Sequence, residues 1–314
     1  MDTMNLQFEH ASHVDGEFHH HHSHGVGSQH PGHHHLLTVE GLTVAFEMYD
    51  DAAGFWAAQR ARREVLHDLT VSVHRGEVLA VVGASGSGKT VLADALLGLY
   101  EPNAEVTGRI WFDGAECDAG ALASLRGHGI SLVPQGVDSL DPLMRVGQQV
   151  QGMARGRTRA ERRADYEARV CRQRGLFEAY GLAPEVADLY PHQLSGGMAR
   201  RVLLMCALMD DPKLIIADEP TPGLDLDLAV HALDDLRAFA DGGGGVLLIT
   251  HDLELALRVA DRVAVFRDGT VVEETSVASF ADPSLLRHPF SRALWYAMPE
   301  HDFAARAAGE GDAR

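Results

Sequence analysis

The stretch GASGSGKT at residues 83–90 is the most informative part of this 314-residue chain. It follows the short apolar run VLAVV at residues 78–82 and leads into TVLADALLGLY at 90–100, whose apolar spacing is helical. A glycine-rich loop between a strand and a helix lets backbone N–H groups converge on phosphate oxygens. The sequence therefore predicts a nucleotide-phosphate site, with Lys89 at the β- and γ-phosphates and the Thr90 hydroxyl on Mg²⁺. The predicted cofactor-binding residues of this loop are Gly83, Ser85, Gly86, Ser87, Gly88, Lys89 and Thr90.

A pair of carboxylates ends a second apolar strand. The run LIIADE at residues 214–219 predicts Asp218 beside the metal and Glu219 where an attacking water would lie. Acidic residues at a strand end are often only the first residues of a loop. The phosphate loop upstream favours the catalytic interpretation of both carboxylates.

Three further motifs follow the phosphate loop along the chain. Gln135 comes after a strand in VPQGVDSLDPL, LSGG at residues 194–197 opens a helix, and His251 comes after the strand VLLIT. Each motif has an ordinary alternative, since a helix start would also explain His251 and a turn would also explain SGG. Their joint order is far more specific than any one of them.

Strand-like and helical segments alternate through the second half of the chain. The strands LIIADE and VLLITHD are followed by the helical runs DLAVHALDDLRAFA and LELALRVA, which predicts a mainly parallel sheet covered by helices. Nearer the start, LLTVEGLTVAF at residues 36–46 alternates like a strand. A stretch rich in Asp, Ala and Arg after it is interpreted as a linker before the strand LTVSV. The Arg- and Glu-rich segment at 141–194 predicts a helical insertion.

In the order phosphate loop, Gln135, LSGG, Asp218-Glu219 and His251, these motifs resemble the nucleotide-binding subunit of ABC transporters. The resemblance covers residues 37–280. It implies an α/β fold, the P-loop NTPase ABC cassette, with a RecA-like core, an antiparallel β subdomain and a helical subdomain at about 141–210. The implied domains are a disordered tail at 1–35, the cassette at 36–280 and a C-terminal extension at 281–314.

The resemblance also implies a role for each motif. Two cassettes are expected to pair head to tail around two ATP molecules, and the expected activity is ATP hydrolysis coupled to transport. Ser195, Gly196 and Gly197 of one cassette would face the γ-phosphate bound by the other. Gln135 would contact Mg²⁺ and the attacking water and connect the site to the membrane subunits. Glu219 would polarise the water, and His251 would hold the γ-phosphate.

Two more residues match the family pattern. Asp225, in PGLD, lies in the loop that crosses between the paired sites. Phe46 stands where an aromatic residue commonly stacks on adenine. Tyr49 is a rival for that role, and a core position would also explain Phe46.

Other segments resemble the peptide and nickel importer group of ABC ATPases. These are LSGGM, DSLDPL and the C-terminal RHPFSRALWYAMP, in which His288, Pro289, Phe290, Arg292, Ala293 and Leu294 match. Two departures favour the nickel-type subunits. No cysteine follows Cys206, whereas peptide-transporting members often have a cysteine-rich segment there, and Pro222-Gly223 replaces small residues in the crossing loop. Nickel, or a nickel chelate, is the first expectation for the substrate, and di- or oligopeptide import is the alternative.

The first 35 residues contain 11 of the 19 histidines and few apolar residues. Such a segment cannot bury enough surface to offset the entropy of ordering, so it is expected to be disordered. Imidazole binds Ni²⁺, Cu²⁺ and Zn²⁺, which makes the tail a candidate metal buffer. A purification tag or a neutral extension are the alternatives. The candidate ligands are His19, His20, His21, His22, His33, His34 and His35.

Composition and charge limit where the protein is expected to be located and which partners it is expected to bind. A net charge of −18 argues against nonspecific nucleic-acid binding, and the basic RARR at 60–63 is interpreted as a solvated face. No apolar run reaches the roughly 18 residues of a membrane-spanning helix, and the N-terminus does not have the pattern of a secretory signal. The three scattered cysteines, Cys117, Cys171 and Cys206, predict reduced thiols.

The expected location is peripheral, at the cytoplasmic face of the cell membrane. The resemblance implies as partners a second ABC ATPase subunit (a copy or a paralogue), two membrane permease subunits and an extracytoplasmic substrate-binding protein.

Two other classes of function use the same signature. A soluble DNA-repair or chromosome ATPase would have long coiled coils between the phosphate loop and LSGG, and only about 50 helical residues lie there. A translation-associated ATPase would carry two cassettes in one chain. A metal-binding protein with a regulatory ATPase is the third possibility, and co-purification with membrane subunits would separate transport from all of these.

Overall fold

The computed structural model describes residues 35–49, 60–84 and 86–298. The strands are β1 (His35–Tyr49), β2 (Arg60–His74), β3 (Val78–Gly83), β4 (Ala104–Phe112), β5 (Ala115–Glu116), β6 (Ile130–Val133), β7 (Leu214–Asp218), β8 (Gly245–Thr250), β9 (Arg262–Arg267) and β10 (Thr270–Ser276). The α-helices are α1 (Lys89–Leu96), α2 (Ala119–Leu125), α3 (Val146–Gln151), α4 (Arg159–Ala179), α5 (Gly196–Leu208), α6 (Leu226–Asp241), α7 (Leu253–Val259) and α8 (Pro289–Tyr296). Within these ranges no helix combines the length and the apolar character needed to cross a membrane.

A six-stranded sheet forms the centre of the fold, in the order β10-β9-β3-β8-β7-β6. All neighbours in it are parallel except β10, which pairs antiparallel with β9. Leu79 and Val81 point into one buried cluster together with α1, and Ala80 and Val82 point into another with α6 and α7. Both faces are covered, which explains why the central strands are continuous apolar runs.

A second sheet is antiparallel, in the order β2-β1-β4-β5, and packs on the first buried cluster. Its β1–β2 pair extends further than expected, because β2 begins at Arg60 and includes part of the predicted linker. The charged start of β2 is tolerated because β2 is an edge strand, with one side open to water. Arg62 pairs there with Glu64 and, at 2.7 Å, with Glu105. Residues 61–63 of the basic stretch 60–63 are exposed, as the sequence predicts.

Helices α3, α4 and α5 lie in the segment expected to form a helical subdomain. They have a buried cluster of their own, which runs from Leu140 to Met209. Helix α4 begins with a capping box between Thr158 and Glu161. Its inner face is partly polar, because the buried Arg169 binds Asp165, the Gln151 carbonyl and Asp210.

Residues 281–298 are the part of the predicted C-terminal extension that the structure describes. They pack on the second buried cluster through Trp295 and Met298. The Trp295 indole donates a hydrogen bond to the Phe280 carbonyl at 2.5 Å. The Glu273 carboxylate accepts the backbone N–H groups of Arg287 and His288, which lead into α8. Residues 299–314 lie outside the described residues.

Close approach of two strands requires glycine at position 108. Gly108 of β4 has φ 109°, and a Cβ there would lie 2.7 Å from the Gly41 carbonyl oxygen and 2.7 Å from Leu42 Cα. We expect Gly108→Ala to lower the free energy of unfolding by about 2–4 kcal/mol, measured by chemical denaturation.

Gly175 is the matched control, because it lies inside α4 and a Cβ there would meet nothing within 4 Å. Gly175→Ala is expected to raise stability by up to about 1 kcal/mol. Equal effects of the two substitutions would contradict the packing described for β1 and β4.

Candidate active site

The phosphate loop connects the buried strand β3 to α1. Gly88 precedes α1 with φ 109°, and no described side chain caps the first turn of the helix. The amide groups of this turn are therefore available to an anion. Gly83 must be glycine, because a Cβ there would lie 2.2 Å from the Phe266 carbonyl oxygen on the neighbouring strand β9. Ser85 lies outside the described residues, so its predicted contact stays a prediction.

Lys89 is almost completely buried, with 6% of its surface exposed. Its ammonium group donates hydrogen bonds to the carbonyl oxygens of Gly83 and Ala84, both at 2.9 Å. Burial lowers the pKa of Lys89, while the nearby charges of Glu219 and Asp218 oppose that shift. The structure thus brings the lysine of the loop and the two predicted carboxylates into one electrostatic group.

Asp218 ends β7 and lies close to Thr90. Burial is the largest cause that raises the pKa of Asp218, and the Thr90 hydroxyl opposes it by hydrogen bonding to the carboxylate. The Oδ1 atom of Asp218 is buried and has no hydrogen-bond partner among the described residues. The carboxylates of Asp218 and Glu219 outnumber the single positive charge of Lys89, so this edge favours a cation.

The residues present fit Mg²⁺. It prefers oxygen ligands and commonly takes only one or two from protein, with water and phosphate oxygens completing its shell. Asp218 and Thr90 are placed to supply those oxygens. A transition-metal site would be expected to have a cluster of at least three His, Cys, Asp or Glu side chains. The described residues contain no such cluster.

Glu219 and His251 form a direct pair. The Nδ1 atom of His251 lies 2.9 and 2.8 Å from the two carboxylate oxygens of Glu219. The backbone N–H of Glu219 donates to the Ile249 carbonyl at 2.8 Å, and the carboxylate is also 3.5 Å from the Thr250 hydroxyl. Strand register explains the meeting, because Asp218 stands opposite Ile249 in the parallel pair β7–β8.

The His251 ring is 59% exposed while Glu219 is almost buried. A carboxylate accepts hydrogen bonds, so the hydrogen in this pair lies on Nδ1. The Nε2 side of the ring is left to face a ligand. Thr250 is a further neighbour that belongs to none of the predicted motifs; its only signal in the sequence is a polar residue at the end of an apolar strand.

Gln135 belongs to the same edge of the sheet. It is exposed and lies two residues after Val133, the last residue of β6. Val133 pairs with Ala217 of β7, and Glu219 lies two residues after Ala217, so Gln135 and Glu219 occupy equivalent positions on neighbouring strands. Gln135, Glu219, His251 and the phosphate loop therefore all follow the carboxyl ends of parallel strands. This is the place where ligands bind in open α/β sheets.

The signature residues form a separate group, in which Ser195 and Gly196 are exposed and Gly197 is half-buried. Ser195 is the N-cap residue of α5 and accepts a hydrogen bond from the Met198 N–H, and Asp225 caps α6 in the same manner. A Cβ on Gly196 would lie 3.9 Å from the Gly223 carbonyl oxygen, so this group borders the crossing loop of its own chain. No described contact joins residues 195–197 to the phosphate loop.

Phe46 is half-buried in β1, opposite Arg63 and Ala104, and packs against the first buried cluster. Part of its ring remains accessible, so stacking on adenine stays a prediction. The side chain of its rival Tyr49 lies outside the described residues. So do residues 1–34 and hence nearly all the candidate ligands of the histidine tail; His35 is the exception, and its ring lies against His74.

Comparisons with known proteins agree with this geometry. The sequence model of the ABC transporter family matches residues 66–222. The oligopeptide transport ATP-binding protein OppD of Lactococcus lactis subsp. cremoris is 40% identical over 273 residues, which are 84% of this chain and 76% of OppD. The glutathione import ATP-binding protein GsiA of Pectobacterium atrosepticum is 38% identical over 84% of this chain but only 42% of GsiA.

Solved structures share the fold. A dimeric post-hydrolysis state of the ATP-binding cassette MJ0796, bound to ADP and Pi, matches 77% of this chain and 98% of its own with TM-score 0.63 and 25% identity. The ATP-binding subunit of another ABC transporter matches 78% of this chain and 91% of its own with TM-score 0.59 and 29% identity. The ABC cassette fold expected from the motifs is confirmed.

The pairing of Glu219 with His251 generates a direct test. Glu219→Gln keeps the shape of the side chain but removes the basic oxygen, so we expect ATP hydrolysis to fall at least about 100-fold. ATP binding should persist, and an ATP-bound dimer should accumulate on size-exclusion chromatography. Glu254→Gln, the same change on an exposed residue of α7, is the control and should hydrolyse ATP like the unmodified chain. Normal turnover by Glu219→Gln would remove Glu219 from its role.

Proposed function

The chain belongs to the ABC transporter family as an ATP-hydrolysing importer subunit, and from that membership we propose that the imported substrate is a peptide. The observation that carries the proposal is the similarity to OppD, which extends over 84% of this chain. GsiA, named for the import of the tripeptide glutathione, points to the same class of substrate. These relatives favour the peptide alternative over nickel, which the sequence motifs had placed first.

The proposed ATP site uses the edge of the parallel sheet. The loop amides and the Lys89 ammonium bind the phosphates. Mg²⁺, held by Thr90, Asp218 and Gln135, would neutralise charge on the β- and γ-phosphates.

Glu219 takes the proton of the attacking water, because its carboxylate is placed at the strand end beside the phosphate loop. His251 orients that carboxylate through Nδ1. A proton on Nε2 would make the ring a cation that donates to the γ-phosphate at the same time.

The signature group at residues 195–197 completes the proposal. No described contact joins it to the phosphate loop of the same chain, as expected if the signature of one cassette acts on ATP bound by a second. Ser195 would supply a hydroxyl, and Gly196 and Gly197 would supply amides to the γ-phosphate. Asp225 would lie in the loop between the paired sites. The second cassette is a copy of this chain or a related ATPase.

The remaining proposed partners follow from the importer relatives. Two permease subunits would carry the substrate through the membrane, and an extracytoplasmic binding protein would deliver it. The chain would sit at the cytoplasmic face as a peripheral subunit. The absence of a spanning helix in the described residues is compatible with this position.

Uptake by cells lacking this protein tests the substrate. We expect loss of labelled dipeptide uptake with labelled Ni²⁺ uptake unchanged, restored by the unmodified chain and not by Lys89→Ala. Loss of Ni²⁺ uptake alone would overturn the peptide proposal and reinstate nickel. Unchanged uptake of both would place the cassette outside either system.

For the histidine-rich tail we keep the proposal that it acts as a metal buffer. Residues 1–34 lie outside the described residues, so the structure does not bear on it. Titration of the full chain with Ni²⁺, beside a variant lacking residues 1–35, would measure it. We expect several ions to bind to the full chain and none of comparable affinity to the truncated chain. Affinity no greater than that of free histidine would end the proposal.

A further inference from the structure

Arg200 holds two loops of the active site through a single guanidinium group. It lies on α5, one turn after the signature residues, and is half-buried. Its Nη1 atom donates to the Pro134 carbonyl at 3.0 Å, and its Nη2 atom donates to the Pro222 carbonyl at 3.3 Å. Burial lowers the pKa of Arg200, and no described acidic side chain forms an ion pair with it. Two backbone carbonyls are thus the described partners of this charge.

The two carbonyls belong to the segments that carry the chemistry. Pro134 immediately precedes Gln135 at the end of β6. Pro222 lies three residues after Glu219 in the loop that leads to Asp225 at the start of α6. Because the guanidinium is a rigid planar fork, holding both carbonyls restricts the relative positions of the two loops and of α5.

The adjacent Arg201 makes a different connection. Its guanidinium donates to the carbonyls of Tyr180 at 2.8 Å and Gly197 at 3.3 Å, both inside the helical subdomain. Arg200 alone of the two therefore connects α5 to loops of the parallel sheet.

A further close contact at this end of α5 is apolar. A Cβ on Gly197 would lie 2.7 Å from Leu228 Cδ1. This packing holds α5 against α6. The Arg200 hydrogen bonds add directional contacts from α5 to the two loops.

We propose that Arg200 is a positioning residue that couples the signature helix to the Gln135 loop and the crossing loop. When the signature group docks on a second cassette, Arg200 moves both loops with it, so Gln135 and the Glu219 segment align at the same step. The coupling rests on the proposed pairing of cassettes, whereas the contacts themselves do not.

The test compares variants of the full chain at saturating and limiting ATP. Arg200→Met keeps most of the side-chain volume but loses both hydrogen bonds. We expect kcat for ATP hydrolysis to fall about 10-fold or more, with KM for ATP within about twofold of the unmodified value. Arg200→Lys, whose single ammonium group lacks the fork, should recover part of kcat. Arg174→Met, on an exposed position of α4, is the matched control and should leave kcat and KM unchanged.

Thermal unfolding separates positioning from stability. Unchanged kcat in Arg200→Met would overturn the proposal. It would also be overturned if the fall in kcat disappears when each variant is assayed at the same number of degrees below its own midpoint temperature of thermal unfolding. In a Glu219→Gln background, adding Arg200→Met should raise the ATP concentration needed for dimers on size-exclusion chromatography. A Glu219→Gln chain that binds ATP but never pairs would overturn the proposed pairing, and the kcat comparison would still decide whether Arg200 positions the two loops.

Discussion

Strands β3, β8 and β7 pair in parallel, with Val82 opposite Thr250 and Asp218 opposite Ile249. Both faces of these strands are buried, so sliding one strand by a single residue would turn its apolar side chains to the wrong cluster. The register is therefore strongly held. This register places the phosphate loop, Glu219 and His251 beside one another at the carboxyl edge of the sheet.

The same register concentrates charge where little water reaches. Lys89, Asp218 and Glu219 are all nearly buried, and each alters the electrostatic environment of the others. An ammonium group between loop carbonyls and two carboxylates is an arrangement suited to a phosphate group together with a divalent cation. The exposed His251 ring lies on the outer side and contacts both carboxylate oxygens of Glu219, the proposed proton acceptor.

The helical insertion is organised by a different principle. It packs around a buried cluster of its own, beside the two clusters that cover the parallel sheet. Polar contacts add to the packing that joins its signature end to the sheet. Arg200 is one of them, and its partners are backbone carbonyls, which are present whatever side chains the loops carry.

Local patterns in the sequence were enough to place the phosphate loop, Asp218, Glu219, Gln135 and His251 at the ends of apolar strands, and their catalytic and binding roles stay predictions. They were also enough for the α/β class of fold, since strand and helix periods differ. They failed for the start of β2, where the charged residues of an edge strand look like a linker. They placed nickel before peptide, whereas the relatives that are 38–40% identical are named for oligopeptide and glutathione transport.

Contacts between distant residues had no local signal. The hydrogen bonds from Arg200 to Pro134 and Pro222 join positions 66 and 22 residues apart, and an Arg-Arg pair on a helix looks the same whether it is exposed or buried. The pairing of His251 with both oxygens of Glu219 likewise depends on the alignment of two strands that are separated by a helix. Periodicity and loop chemistry involve only a few neighbouring residues, so the sequence by itself determined them. Strand register and helix docking depend on packing across the whole core, so only the tertiary structure decided them.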